Sequence, residues 1–441
     1  MEYKLLILLC STVSTFGYKF LVTVPGISGS QNMLLYHLAN MLAGRNHSVT
    51  ILNPVFLRNT KKPELHKHVE EITYYAITNP EIEEELKDLT SAQAWKATEN
   101  PLKLYDLVFG SANALSYVPS VLISASDHLT LGQRIINVLS YALVNFRFQQ
   151  FILPLFNKLY QEHFGNDFPT ADQLLRKADL HFINADPLFD YARPLMPNVI
   201  YVGGLVMADP QPLTSEWTKI VESESAKKNG VILFSFGTMA NTSTMSHQLK
   251  MDFLKAVGSI KAEVIWRFES EFPEAAAYKN VHLTKWIPQQ DLFGHPNVRL
   301  FMTHGGFNSI TEATFAGLPL LVIPLLDDQY ANAIRVESKG LGLVLWADER
   351  KAYIIAEKIQ ILLTNKSYHE TAKKLSRMIK KKHISSACLA IGWLEYLAEF
   401  GSLENLLPAA HDLNLFQYFL LDVFACFLFA CFIVGFIFTC L

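Results

Sequence analysis

The sequence has few cysteines that could form a structural bridge. Of its five cysteines, only Cys388 lies in the body of the chain, outside two apolar terminal segments. The others lie within those segments: Cys10, Cys426, Cys431 and Cys440. A fold held together by intramolecular disulfides is therefore excluded.

The chain also lacks an excess of charge of either sign. Its 38 lysines and arginines nearly balance 41 aspartates and glutamates, which leaves a net charge of −3. Proteins that bind nucleic acid use basic surfaces to contact phosphates, so we expect no nucleic-acid partner. Half of the 441 residues are apolar, which is enough for the cores of two or three domains.

Three short motifs are missing as well. The sequence contains no Gly-x-Gly-x-x-Gly, no P-loop Gly-Lys-Ser/Thr and no Asp-x-Asp. The first absence argues against an oxidoreductase on a Rossmann sheet, and the second against a P-loop nucleotidase. Without an Asp-x-Asp pair we expect no dedicated metal site, and we expect no bound cofactor.

Both ends of the chain are apolar. Residues 1–17 combine a weakly basic start, an apolar core and small residues, which predicts a secretory signal peptide. A first buried strand is the alternative, but residues 18–24 already supply one. Residues 423–441 carry no charge and are about long enough to cross a bilayer, which predicts a single-pass transmembrane anchor.

These two segments predict a membrane protein of the endoplasmic reticulum with a lumenal body. In that compartment, Asn-x-Ser/Thr sequons become acceptors for N-glycans. The chain has three of them, at Asn46, Asn241 and Asn365.

The first half of the body begins as an α/β unit. A strand pattern over 19–24, an amphipathic helix over 33–43 and a strand over 48–52 predict a βαβ opening. The alternation lapses over 128–164, which is typical of long helices. We assign residues 18–203 to one domain.

The second half alternates more regularly. After the proline-containing linker "MADPQPLTSEW", six apolar runs predict a doubly wound parallel sheet in a domain over 204–401. The predicted strands are residues 230–237, 262–268, 281–286, 298–304, 318–324 and 341–346.

The segment "FMTHGGFNSITEA" places His304 and two glycines where a predicted strand gives way to a helix. Ligands of such sheets bind beyond the carboxyl ends of the strands, where a helix N-terminus offers free amides. Asn308 and Ser309 follow, so this turn predicts an anion site, most simply for a diphosphate. Glu312 could accept hydrogen bonds from a ribose diol, or Ser309 and Glu312 could instead form a capping box.

Two flanking segments follow other predicted strands. Trp286 and Gln289 lie on a proline-containing turn, where an indole could stack on a base and an amide could contact its edge; a core tryptophan is the alternative. Asp327, Asp328 and Gln329 suit sugar hydroxyls, although a solvated loop or a helix cap would contain the same residues.

The stretch from Trp286 to Ala333 resembles the donor-binding segment of the membrane-bound UDP-glycosyltransferases, the UDP-glucuronosyltransferase family. Looser resemblance extends to "SYVPS", "SFGT" and "LLPAAHDLNLFQYFLLDV". The resemblance implies a GT-B-like α/β fold with two Rossmann-like domains facing a cleft, the first abridged, and a C-terminal transmembrane helix.

The resemblance also implies roles for individual residues. Trp286 would stack on uracil, with Gln289 beside the nucleoside and Glu312 on the ribose. The diphosphate would contact His304, Asn308 and Ser309, in a cleft also lined by Gly237 and Thr238. The transferred sugar would contact Asp328 and Gln329.

The chain departs from the family at the position of the general base. An ungapped alignment places Gln31 where the family has a histidine, and an amide cannot accept a proton at neutral pH. The region between about residues 77 and 116 is also shorter than in the family. The strand that carries the orienting aspartate in the family is expected to be in the missing part.

The resemblance predicts an enzyme that transfers a glucosyl or glucuronosyl unit from a UDP-sugar to a small lipophilic acceptor. In this role His304 would also act in catalysis. The alternative is a catalytically impaired homologue that binds UDP-sugars or modulates a partner. Self-association or association with another protein is compatible with either function.

Overall fold

The computed structural model describes residues 17–23, 29–55, 63–75, 114–120, 123, 125–237, 240–326, 328–409, 413–418 and 420–440. The signal peptide predicted over 1–17 lies outside this part of the chain except for its last residue.

The N-terminal part is a parallel sheet with one helix packed on it. Its strands, in the order β1-β2-β3, are β1 (Lys19–Thr23), β2 (Ser48–Val55) and β3 (Val69–Tyr75). Helix α1 (Gly29–Gly44) connects the first two strands and buries Leu42 against Ile51. The predicted βαβ opening is confirmed, with a helix longer than predicted at both ends.

Long helices form the middle of the chain, as predicted. Because Thr130 accepts a hydrogen bond from Gln133 N, α2 begins just after it, and a π-helical turn then connects α2 to α3. A two-stranded parallel sheet follows. These elements are α2 (Leu131–Arg147), the π turn (Phe148–Ile152), α3 (Leu153–Phe164), α4 (Ala171–Arg176), β4 (His181–Ile183) and β5 (Val199–Tyr201).

The C-terminal sheet has six parallel strands in the order β11-β10-β9-β6-β7-β8, which confirms the predicted doubly wound sheet. All five residues of β6 are buried, as expected for a central strand covered on both faces. The strands are β6 (Val231–Ser235), β7 (Glu263–Arg267), β8 (Val281–Thr284), β9 (Val298–Thr303), β10 (Leu320–Val322) and β11 (Gly342–Val344).

Helices cover this sheet on both faces. Trp266 and Phe234 point into one core with helices α7 and α11, while Leu233 and Ile265 point into the other. The helices are α5 (Ser215–Val221), α6 (Glu224–Asn229), α7 (His247–Gly258), α8 (Gln289–Phe293), α9 (Phe307–Ala316), α10 (Gln329–Ser338), α11 (Ala352–Thr364), α12 (Lys366–Lys380) and α13 (Ser386–Phe400).

Helix α13 returns to the N-terminal sheet and joins the two parts of the chain. Ile391 on this helix belongs to the same apolar cluster as Tyr36 of α1. Beside this cluster, His47 Nε2 lies 2.9 Å from Glu395 Oε1. Helix α13, which follows the C-terminal sheet in the sequence, therefore contributes to the N-terminal core.

The last elements are a short helix, α14 (Leu415–Tyr418), and the helix α15 (Leu421–Cys440). Within the described residues, none of the helices combines the length and the apolar character needed to cross a membrane. The transmembrane anchor predicted over 423–441 is therefore not confirmed.

We expect Trp266→Ala to destabilise the C-terminal sheet by about 3–5 kcal/mol, because the deletion leaves a cavity in a close-packed aromatic core. Trp266 is fully buried and its ring is stacked 4.8 Å from Phe234. Urea unfolding followed by circular dichroism measures the loss. Tyr353→Ala is the control, because Tyr353 is 68% exposed; equal losses in the two variants would contradict this assignment of the core.

Candidate functional site

The predicted site residues lie beyond the carboxyl ends of several strands of the C-terminal sheet, and Gly237 and His304 follow two neighbouring strands, β6 and β9. These strands pair in parallel, with Ser235 beside Thr303. Gly237 follows β6 and His304 follows β9. The crossover connections leave β6 and β9 toward opposite edges of the sheet, and a crevice opens where the strand order reverses in this way.

The imidazole of His304 lies in a slot between two glycines. A Cβ on Gly237 would lie 2.6 Å from His304 Cε1, and one on Gly306 would lie 2.5 Å from His304 Nε2. Gly237 and Gly305 also have positive φ angles, of 69° and 87°. Glycine is needed here because any side chain would collide with the ring or strain the turn.

His304 is held in its neutral form. Burial, and secondarily the charge of Arg267, lower the pKa of His304 to about 4. At neutral pH the imidazole therefore offers one N–H donor and carries no charge.

Helix α9 begins beside this ring without a side-chain cap from any described residue. Its N-cap is Gly306, and the first helical hydrogen bond runs from Ile310 N to Gly306 O, at 3.1 Å. The amides of Phe307, Asn308 and Ser309 precede that bond, as at any helix N-terminus. Ser309 is the third residue of the helix and not its N-cap, so the alternative of a capping box with Glu312 is wrong.

Glu312 instead accepts hydrogen bonds from two adjacent glutamines on α8. Gln289 Nε2 donates to Oε2, and Gln290 Nε2 donates to Oε1 at 3.2 Å. Burial raises the pKa of Glu312, although both hydrogen bonds act in the opposite direction. The pair of amides fixes this carboxylate near the turn that contains Trp286.

Trp286 is 50% exposed and is not a core residue. The guanidinium carbon of Arg267 lies 5.7 Å from the centre of the Trp286 ring, and Arg267 NH1 donates to Gly237 O at 2.6 Å. Arg267 thus links the tryptophan to the slot around His304. It was not predicted, although a cation at the carboxyl end of β7 was a signal that could have found it.

Asp328 and Gln329 lie at the start of α10. Gln329 Oε1 accepts hydrogen bonds from Leu325 N at 2.8 Å and Leu326 N at 2.9 Å. This fixes the oxygen of its amide inward, so the Nε2 group is the end left to donate to a ligand. Asp328 Oδ2 accepts a hydrogen bond from Asn332 Nδ2 at 2.9 Å.

The N-terminal part also contributes a side chain that was not predicted. Asn184, just after β4, donates from Nδ2 to Asn308 Oδ1 at 3.1 Å. The sequence around Asn184 gives no motif that would have signalled this contact.

Several predicted residues cannot be placed. Thr238 and Asp327 lie outside the described residues, as does the side chain of Gln31, whose backbone is in the first turn of α1. In the described part of the chain, no group of three or more His, Cys, Asp or Glu side chains could hold a metal ion.

Comparison with known proteins shows the family of the chain. The model of the family described as UDP-glucoronosyl and UDP-glucosyl transferase matches residues 100–441. The chain belongs to this family. The mouse (Mus musculus) UDP-glucuronosyltransferase 1-2 is 33% identical over 338 residues, which are 77% of this chain and 60% of that protein.

Human (Homo sapiens) UDP-glucuronosyltransferase 1A3 is 34% identical over 311 residues, 70% of this chain and 57% of that protein. The family member described here thus spans only about 60% of the length of the curated relatives it matches.

Solved structures establish the fold as a GT-B-like α/β glycosyltransferase fold. Phytolacca americana UGT2, complexed with UDP-2-fluoro-glucose and pterostilbene, has a TM-score of 0.54 at 16% identity. The match covers 87% of this chain and 98% of that one. The predicted GT-B fold class is confirmed.

The low pKa of His304 predicts a specific pH dependence of stability. Between pH 6.5 and about 4 the unfolded chain binds a proton that the folded chain does not, so the free energy of unfolding falls as the pH falls through this window. His304→Gln should reduce the slope of the free energy of unfolding against pH by up to the contribution of about one proton. Urea unfolding at several pH values measures it.

The matched control is His383→Gln, since His383 is exposed. Its slope should follow that of the wild type. Parallel curves for wild type and His304→Gln across the whole window would show that His304 titrates normally.

Proposed function

We propose that this protein binds a UDP-sugar in the crevice between β6 and β9 and transfers its glucosyl or glucuronosyl unit to a small lipophilic acceptor. One observation carries the proposal: the uncapped start of α9 and the neutral imidazole of His304 meet at the reversal of strand order. Amides that converge on such a crevice favour a diphosphate.

The nucleoside would bind at the turn after β8. Trp286 offers a half-exposed indole face for uracil, and Arg267 packs against the same ring. Glu312, oriented by Gln289 and Gln290, would accept hydrogen bonds from the ribose diol. The two glutamines stabilise the carboxylate before the ligand arrives, so little rearrangement is needed on binding.

The diphosphate would bind to the amides at the start of α9. Asn308 and Ser309 add side chains to this group, and Gly237 and Thr238 would line the opposite wall. Because His304 is neutral, it would act as a hydrogen-bond donor to the phosphate and not as a cation. Its contribution would grow as negative charge accumulates on the departing UDP.

The sugar would contact Asp328 and the Nε2 group of Gln329, since a carboxylate and an amide donor together suit neighbouring hydroxyls. In the reaction, a lone pair on the acceptor forms a bond to the anomeric carbon. The bond from that carbon to the diphosphate oxygen breaks, UDP leaves with the electron pair, and the acceptor proton passes to water. The family resemblance supports inversion at the anomeric carbon.

Gln31 favours acceptors that lose a proton easily. At the family's base position its amide cannot take a proton from a hydroxyl, whereas nitrogen nucleophiles need less help. The sugar should therefore be transferred more readily to amine acceptors than to alcohols. The apolar residues exposed along α2 and α3, such as Leu139 and Phe156, support a lipophilic acceptor.

We further propose a lumenal location in the endoplasmic reticulum, which rests on the signal-peptide pattern of residues 1–17. Of the three sequons, those at Asn46 and Asn365 are exposed, whereas at Asn241 the following Thr242 is buried. Glycans are therefore expected at the first two. The membrane anchor and any association between subunits remain predictions.

Trp286→Ala should weaken the binding of UDP by roughly tenfold, because stacking of a base on an aromatic ring contributes about 1–3 kcal/mol. Isothermal titration with UDP measures the change. Trp286→Phe retains an aromatic face and should recover most of the affinity. Equal affinity for the wild type and the alanine variant would place the uracil elsewhere.

Release of UDP in the presence of amine acceptors should persist in Gln31→Ala and be lost in His304→Ala. The glutamine does not act as a base, whereas His304 contacts the leaving group. A coupled assay of UDP formation, with UDP-glucose and UDP-glucuronate as donors, measures both variants. Binding of a UDP-sugar without release of UDP for any hydroxyl or amine acceptor would instead identify a non-catalytic binder.

A further inference from the structure

We infer that Arg335 and Asp190 form a positioning pair: together they fix the orientation of Asn332, which holds the Asp328 carboxylate in the place where it contacts the donor sugar. This inference rests on the proposed function. It concerns residues outside the crevice, and the pair joins the loop between β4 and β5 to helix α10.

Asp190 provides a buried and fully charged end of this pair. It is 8% exposed, and Arg193 NH2 lies 3.1 and 3.0 Å from its two carboxylate oxygens. Tyr201 donates its hydroxyl at 3.0 Å, and Arg335 Nε lies 3.3 Å from Oδ1. Burial raises the pKa of Asp190. The charges of Arg335 and then of Arg193 lower it by more, so that the pKa is below its usual value. The carboxylate is thus ionised at neutral pH.

Arg335 reaches from this carboxylate to the preceding turn of its own helix. Its NH1 group donates to Asn332 Oδ1 at 3.0 Å. The guanidinium carbon also lies 5.1 Å from the centre of the Tyr191 ring. The guanidinium group is planar and rigid. The ion pair with Asp190 therefore also restricts the direction in which NH1 donates to Asn332.

Asn332 transmits this order to two parts of the donor site. It is 1% exposed, and its Nδ2 group donates to Asp328 Oδ2 at 2.9 Å and to Gly305 O at 3.1 Å. Both hydrogen bonds require that the amide nitrogen of Asn332, and not its oxygen, faces Asp328 and Gly305. If Oδ1 lost its partner Arg335, this buried oxygen would lose its donor, and the amide would lose one of the hydrogen bonds that fix its position.

The two ends of Asn332 should not respond equally. The Gly305 turn has further support, because Gly305 N donates to Thr303 Oγ1 at 3.3 Å and its Cα side packs closely on Val322. Asn332 bonds directly to the Asp328 carboxylate that would contact the sugar, whereas it contacts the diphosphate turn only through the Gly305 carbonyl. Loss of Arg335 should therefore weaken contacts with the sugar more than contacts with the diphosphate.

The experiment compares UDP with two UDP-sugars on the full chain. Isothermal titration with UDP, UDP-glucose and UDP-glucuronate gives the ratio of UDP affinity to UDP-sugar affinity for wild type, Arg335→Gln, Arg335→Lys and Asp190→Asn. We expect the glutamine variant to lose roughly fivefold in affinity for the UDP-sugars while its affinity for UDP changes by less than about twofold. Asp190→Asn should change the ratio in the same direction.

Two variants separate positioning from stability. Arg335→Lys retains a cation near Asp190 and should recover part of the preference. The matched control is Lys358→Gln, which breaks an ion pair of 3.0 Å with Glu349 at a similar exposure, 19% against 17% for Arg335. It should lower the melting temperature without changing the ratio of affinities.

An unchanged ratio in Arg335→Gln, or equal losses for UDP and UDP-sugar, would overturn the positioning role alone. A wild-type protein that binds neither nucleotide would overturn the proposed function and with it the role of Arg335. The two failures are therefore distinguishable.

Discussion

The parallel pairing of β6 with β9 is the constraint on which the candidate site depends. The pairing brings Gly237 and His304 to one edge of the sheet, and the two glycines leave just enough space for an imidazole between them. A larger residue at either glycine would push the ring out of the slot. The start of α9, and with it the amides of its first turn, takes its position from the same turn.

Burial determines the charge states in this crevice. Desolvation keeps His304 neutral, so it would bring no positive charge to a diphosphate, and it also opposes ionisation of the Glu312 carboxyl. Attraction for an anion must come from aligned amides and from Arg267, which lies between Trp286 and Gly237. Aligned amides stabilise negative charge with little reorganisation.

The sequence was sufficient for the C-terminal sheet because each strand is a short apolar run bounded by turns, and six of them at regular spacing leave few alternatives. His304 and Trp286 were singled out because each follows a strand within two residues, and Glu312 and Gln329 because they lie in the helices after β9 and β10. The capping-box alternative for Ser309 was wrong because Gly306 already begins the helix, which a pattern of residue types does not specify.

Other residues could not be found from sequence. Asn184 and Asp190 reach the second half of the chain from a loop with no recognisable motif, and their partners are more than a hundred residues away. Such contacts depend on how the two sheets are placed against each other. Local patterns carry no information on that placement.

The distance along the chain between β6 and β9 has a consequence for folding. Two other strands, β7 and β8, are synthesised between them, and both lie on the side of β6 opposite to β9. The slot for His304 is therefore completed only when the later strand inserts beside the earlier one, against the entropy of closing a long loop. A nascent chain that ends before β9 lacks the slot in which the proposed nucleotide would bind, so such a ligand would stabilise only molecules in which the central strands have assembled.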